Sequence, residues 1–130
     1  MFGDTPAFSG FSVDDPAAAQ EFYATTLGMQ VTEVEGMEGQ GLLELHVSGG
    51  HNILIYPKPD HTPASFTILN FPVPDIEAAV GELTARGVRF LRYPQFDNVM
   101  DDKGIVRGDE GPPIAWFADP AGNVLSVLEE

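Results

Sequence analysis

The chain has no cysteine and only six lysine and arginine residues among 130. The missing cysteines exclude a disulfide-stapled secreted fold, thiolate metal ligands and a cysteine nucleophile. Twenty acidic residues outnumber the basic ones and give a formal net charge of −14. Nucleic-acid binding needs clustered Lys and Arg to neutralise phosphates, so no nucleic-acid partner is expected. Long apolar runs are missing too. None approaches the ~20 residues of a membrane-spanning helix, and the start lacks the basic and apolar regions of a secretory signal. No membrane partner is expected, and the location read from the sequence is cytoplasmic.

The residues present read as a globular protein: 43% are apolar and 20% charged. The length suits one ordinary domain with a sizeable core. An acidic surface serves solubility first, and it also steers cationic ligands toward the protein.

Two segments repeat. FSGFSVDDPAAAQEFYATTLGM starts at Phe8, and ILNFPVPDIEAAVGELTARGV starts at Ile68. At an offset of 60, Phe11 meets Phe71, Val13 meets Val73, Asp15 meets Asp75, and Ala18-Ala19 meets Ala78-Ala79. Each segment predicts a strand and then a helix. The strands are short runs of β-branched and aromatic residues, 8–13 and 66–73. Asp15 and Asp75 stand where a carboxylate caps the free first-turn N–H groups. Pro16 suits the first helical position, and Gly28 and Gly87 suit left-handed helix ends.

Three strand-like runs follow each helix: 30–35, 42–47 and 52–56 in the first half, and 89–92, 114–118 and 123–128 in the second. The turns Ser48-Gly49-Gly50-His51 and Asp119-Pro120-Ala121-Gly122 close the two terminal hairpins. The reading is a single domain over 1–130 of class α+β, with two tandem βαβββ modules forming a curved mixed-sheet cup. The first module spans 7–56, a proline-rich linker 57–65, and the second module 66–128. The acidic, glycine-rich segment 94–113 has the length of a lid or a mobile loop.

The stretch VDDPAAAQEFYATTLGM and the ending WFADPAGNVLSVLEE, with its DPxGN turn, resemble the two module signatures of the vicinal oxygen chelate superfamily. That superfamily includes glyoxalases, extradiol dioxygenases and bleomycin-resistance proteins. The resemblance implies a glyoxalase-like fold over about residues 7–128, and a homodimer. It implies a metal ligand on the first and last strand of each module. Those positions hold Phe8, Leu54 or Ile55, Ile68 and Ser126. None offers the imidazole or carboxylate a divalent cation wants. No metal and no cofactor is therefore expected, and enzymatic activity is in doubt.

Other groups carry chemistry of their own. Glu44 and His46 alternate onto one strand face, and with His51 and His61 they form a set to weigh as relocated ligands. Equally, Glu44 and His46 are the outward face of an amphipathic strand. Asp119 is read as a brace for its turn or as a general base. Arg107 is read as a solvated loop residue or as an anchor for an anion. The expected ligand-binding set is Phe8, His46, Tyr56, Ile68, Asn70, Trp116 and Ser126, with Phe117 adding aromatic area nearby. Apolar and aromatic walls with a few polar groups suit a small organic molecule. The leading expectation is a metal-free binding protein of the bleomycin-resistance type for a cationic or aromatic compound. A lyase, isomerase or dioxygenase with relocated metal ligands is the alternative.

Overall fold

Capping chemistry starts both helices. Asp15 holds an extended backbone (φ −133°, ψ 98°), and its carboxylate accepts from the N–H groups of Ala17 and Ala18. This satisfies two donors that a helix leaves free at its start. Helix α1, Pro16–Glu21, opens on the proline and runs into a π-helical turn, Phe22–Thr26, where the Leu27 N–H reaches the Phe22 carbonyl. Asp75 caps α2, Ile76–Ala85, in the same way through the Ala78 N–H. Gly28 and Gly87 end the two helical segments at φ 71° and 93°, a backbone region that glycine enters without a Cβ clash.

The computed structural model describes residues 1–130 as two compact units, Met1–Pro63 and Ala64–Glu130. In the first, strands β1 (Gly10–Val13), β2 (Val31–Glu33), β3 (Leu43–Leu45) and β4 (Ile53–Pro57) stand in the order β1-β4-β3-β2. β1 pairs parallel with β4, and the other neighbours are antiparallel. In the second unit, β5 (Thr67–Val73), β6 (Ile114–Ala118) and β7 (Val124–Glu129) stand in the order β5-β7-β6. Here β5 and β7 are parallel, and β6 and β7 antiparallel. The first unit is therefore βαβββ, as expected from its sequence.

The second unit departs from that pattern at one place. The run 89–92, expected as a strand, makes only a bridge from Phe90 to Phe117 and a 2.7 Å bond from the Leu91 N–H to the Trp116 carbonyl. Pro94 follows at once and opens a short 3-10 turn, Pro94–Phe96. Proline has no N–H for a ladder and restricts the residue before it, so the strand stops as it starts.

Each sheet buries one face under its helix. In the first unit Val13, Leu43, Leu45 and Ile55 are at most 2% exposed, together with Ala19 and Tyr23. The Tyr23 ring packs on Phe11 and, edge-on, on Phe22 at centroid distances of 5.8 and 5.2 Å. In the second unit Ala115, Phe117, Leu125 and Val127 lie in the core with Ile76 and Val80, and α2 packs on β7. Each such Val, Leu, Ile or Phe side chain contributes about 1.5–3 kcal/mol by leaving water.

Segment 94–113 has a built interior. Ile105 is fully buried, and Met100 and Val106 nearly so. Val106 bridges both Met100 and Ile114. The Asp101 carboxylate accepts from the N–H groups of Lys103 and Ile105, each at 2.9 Å, and from Arg107 Nη1 at 2.9 Å. Partial burial pushes the Asp101 carboxyl up, but these hydrogen bonds and the Arg107 charge outweigh it and hold it below the usual aspartate range. Glu77 on α2 clasps the same segment through Lys103 at 2.7 Å and Arg107 at 3.3 Å. Arg107, its side chain 44% exposed, is thus a solvated loop residue shared between two carboxylates rather than one free for an anion.

Candidate ligand-binding faces

In each unit the sheet face away from the helix carries the candidate residues. Strand pairing sets them side by side in the first unit: Gly10 beside Leu54, Ser12 beside Tyr56, Thr32 beside Glu44, and Glu44 beside Leu54. Ile55 points the other way and is fully buried, which selects Leu54 over Ile55 as the residue on this face. The face holds a cavity of about 500 Å³. Its walls are Phe8, Val34, Met37, Leu42 and Leu54; its polar groups are Glu44, His51 and Asn52. Glu44 is the one carboxylate there, and Asn52 Nδ2 donates to its Oε2 at 2.8 Å. The Phe8 side chain is 65% exposed at the edge of this cavity.

Of the residues singled out in the sequence, Phe8, Glu44, His51 and Leu54 meet at this cavity. Val34, Met37, Leu42 and Asn52 were missed. Asn52 and Leu42 were legible, since the period of two sets them on the faces of Leu54 and Glu44. Met37 sits in a glycine-rich connection whose path has no sequence period. His46 and Tyr56 are not part of the cavity lining. His46 Nε2 lies 2.8 Å from Thr32 Oγ1, and Tyr56 stands beside Ser12 in the register. His61 Nδ1 lies 2.7 Å from Ser12 Oγ.

The second unit's helix-free face is built around one row. Asn70, Ser126 and Trp116 are direct neighbours across β5, β7 and β6. Ser126 is fully buried and donates through Oγ to Asn70 Oδ1 at 2.5 Å. Trp116 is flanked by two rings that the sequence reading missed. Phe96 stacks on it at 5.4 Å and 16°, and Tyr93 meets it edge-on at 5.4 Å and 82°. Ile68 falls at an irregularity in pairing between Thr67 and Leu69, so the simple alternation that would carry it onto the face of Asn70 is interrupted. Phe117, expected near this face, is instead fully buried on the α2 side against Phe90, at 5.6 Å. It follows Trp116 directly on β6, so the two point to opposite faces.

Asp119 is 4% exposed and engaged in its turn. Oδ1 accepts from the Ala121 and Asn123 N–H groups at 3.0 and 2.8 Å, and Oδ2 from Asn123 Nδ2 at 3.2 Å. It is a brace, with both oxygens occupied by the hairpin it closes.

These donor sets do not fit a divalent cation. Phe8, Leu54 and Ile68 offer hydrocarbon, and the Ser126 hydroxyl is committed to Asn70. Glu44, His46, His51 and His61 are not gathered elsewhere: no group of three or more His, Asp or Glu side chains is placed to hold a metal ion.

The model of the Glyoxalase/Bleomycin resistance protein/Dioxygenase superfamily matches residues 8–127. The chain belongs to that superfamily. Solved structures of similar fold agree across nearly the whole length of both chains. A superfamily member from Sphaerobacter thermophilus DSM 20745 is 21% identical, covers 95% of this chain and 97% of its own, and superposes with a TM-score of 0.70. A putative glyoxalase family protein from Bacillus anthracis is 20% identical, covers 100% and 99%, and gives 0.71. TnmS3, an antibiotic binding protein from Streptomyces sp. CB03234, is 23% identical, covers 97% of each chain and gives 0.66. No curated protein matches the sequence. No helix of this superfamily member is long and apolar enough to cross a membrane.

Proposed function

We propose that this chain is a metal-free binding protein for a small organic molecule, with a preference for a cationic aromatic compound. The observation that carries this reading is the cavity of about 500 Å³ on the first unit's sheet, five apolar walls around a single carboxylate. Apolar walls supply contact area, and a few fixed polar groups supply orientation. Glu44, steadied by Asn52, is the counter-charge for a protonated amine, and Phe8 offers a ring face to the cation. Lys58 is the one Lys or Arg in the first 63 residues, so the surrounding field also favours a cation. The antibiotic binding protein TnmS3 shares this fold, which supports binding as the role. Asn70, Trp116 and Ser126, with Ile68 at the bulge, are the second unit's own candidate contacts, and His46 and Tyr56 remain candidates in the first. The reading includes a cytoplasmic homodimer, and light scattering on the purified protein tests the dimer.

The experiment is calorimetric titration with a series of cationic aromatic compounds and their neutral isosteres, at low and high salt. Cationic members should bind more tightly than neutral ones, and salt should weaken them. Glu44→Gln should cost about tenfold in cation affinity and leave the neutral isosteres unchanged. Absence of binding by every compound, equal affinity for charged and neutral partners, or a stoichiometric metal in the purified protein overturns the proposal.

A further inference from the structure

Basic residues are scarce in this chain, yet they are gathered. Arg86, Arg89, Arg92, Lys103 and Arg107 all fall between positions 86 and 107, and only Lys58 lies elsewhere. Three of them, Arg89, Arg92 and Lys103, line one cavity of about 470 Å³ within the second unit. It is a groove between α2 and the turn that carries Asp102 and Lys103. Half-buried Phe90 provides apolar surface over a floor of Val80 and Val88, which are 1% and 8% exposed, and Thr84 adds a hydroxyl. Gly81 leaves the helix bare at this groove: no heavy atom outside the local backbone lies within 4 Å of where a Cβ would stand. The groove lies on the α2 side of the sheet, opposite the row of Asn70, Ser126 and Trp116.

The charges in the groove are unevenly matched. Lys103 is tied to Glu77 at 2.7 Å. Arg92 donates to the Asp101 carbonyl at 3.0 Å and takes part in no ion pair, and neither does the exposed Arg89. Asp102 is the one carboxylate in the lining. A chain with twenty acidic residues and six basic ones has carboxylates to spare, so two arginines left without one are not short of partners. Their guanidinium forks match a carboxylate or a phosphate in two parallel hydrogen bonds.

We propose that this groove binds a small organic anion, a carboxylate or a phosphate monoester carried on a short apolar body. The anionic head lies between Arg89 and Arg92, with Thr84 and Lys103 within the same lining, and the apolar body rests on Phe90 over the floor of Val80 and Val88. The site is separate from the cation-accepting cavity of the first unit and opposite to it in sign.

The test follows backbone amide resonances during titration with phenyl phosphate and with benzoate, and with benzylammonium as the cation of similar body. At least one anion should shift the amides of Gly81, Thr84, Val88, Arg89 and Lys103, and benzylammonium should leave them in place. Arg89→Gln should weaken the anion about tenfold, the loss of one charge-assisted contact. Gly81→Leu should abolish binding by filling the groove, and because leucine favours the helix the fold is retained and verified in the same spectra. No shift with either anion, equal shifts with benzylammonium, or unchanged affinity in both variants overturns the proposal.

Discussion

Replacing Asp119 by alanine removes three hydrogen bonds at one buried carboxylate. Two of them come from the Ala121 and Asn123 N–H groups, and the third from the Asn123 side chain. Asn123 is itself 2% exposed and accepts from the Ala64 N–H, so disturbance at the turn spreads to the start of the second unit. A hydrogen bond to a charged group contributes about 1.5–3 kcal/mol, and a buried donor left unpaired costs a similar amount. The losses overlap because the donors share one turn, so the expected destabilisation is about 3 kcal/mol. With a urea slope of about 1.5–2 kcal/mol per molar, the unfolding midpoint should fall by about 1.5–2 M. Asp119→Asn keeps an oxygen for the two N–H groups and should cost about 1 kcal/mol. The assay is urea denaturation followed by circular dichroism, with Trp116 fluorescence as a second probe on the same hairpin. A midpoint shift below about 0.5 M for the alanine variant, or equal shifts for the alanine and asparagine variants, would refute the brace and reopen the reading of Asp119 as a base.

Other expectations concern the helices, the long segment and the tryptophan. Gly81→Ala should stabilise the protein by about 0.5–1 kcal/mol, because the site is helical and open; Gly87→Ala, at φ 93°, should destabilise it by about 1–2 kcal/mol. Thermal denaturation of the two variants should give midpoint changes of opposite sign. Asp101 has a folded pKa below its unfolded value, so its stabilising contribution is present above about pH 4 and lost as pH falls through the lower folded value. The Ile105 amide resonance, bonded to that carboxylate, should therefore titrate below the ordinary aspartate range, and a midpoint at or above about 3.9 contradicts the network. Phe96→Ala removes the ring stacked on Trp116; it should cost about 1–3 kcal/mol and shift the Trp116 emission to the red. An unchanged spectrum would deny that contact.

Much of the fold was legible because its signals are local. An Asp cap, a proline at the first helical position and a glycine past the end each act within one turn of chain. The repeat then carried the assignment from one half to the other. Where the repeat overreached, at residues 89–92, a proline two residues later cut the ladder short. Alternation joined Glu44 to His46 on one strand face, but strand pairing was needed to set Glu44 beside Leu54 and to bring Asn70, Ser126 and Trp116 into one row. Phe117 shows the limit. It reads like its neighbour Trp116 in composition, but a single step along a strand reverses its side.

The sequence by itself determined the βαβββ order of the first unit, both helix caps, the position of the DPAGN turn and the residue types at the four superfamily positions. Those are questions of residue type and short spacing, which chain neighbours decide. Only the tertiary structure decided that Met37 and His51 join Phe8 and Glu44 around one cavity, that Phe96 lies on Trp116, and that Arg107 is held by Glu77 while Arg89 makes no ion pair. These depend on strands and loops brought together across tens of residues. Strand register and loop path set such meetings, and neither leaves a periodic mark in the sequence.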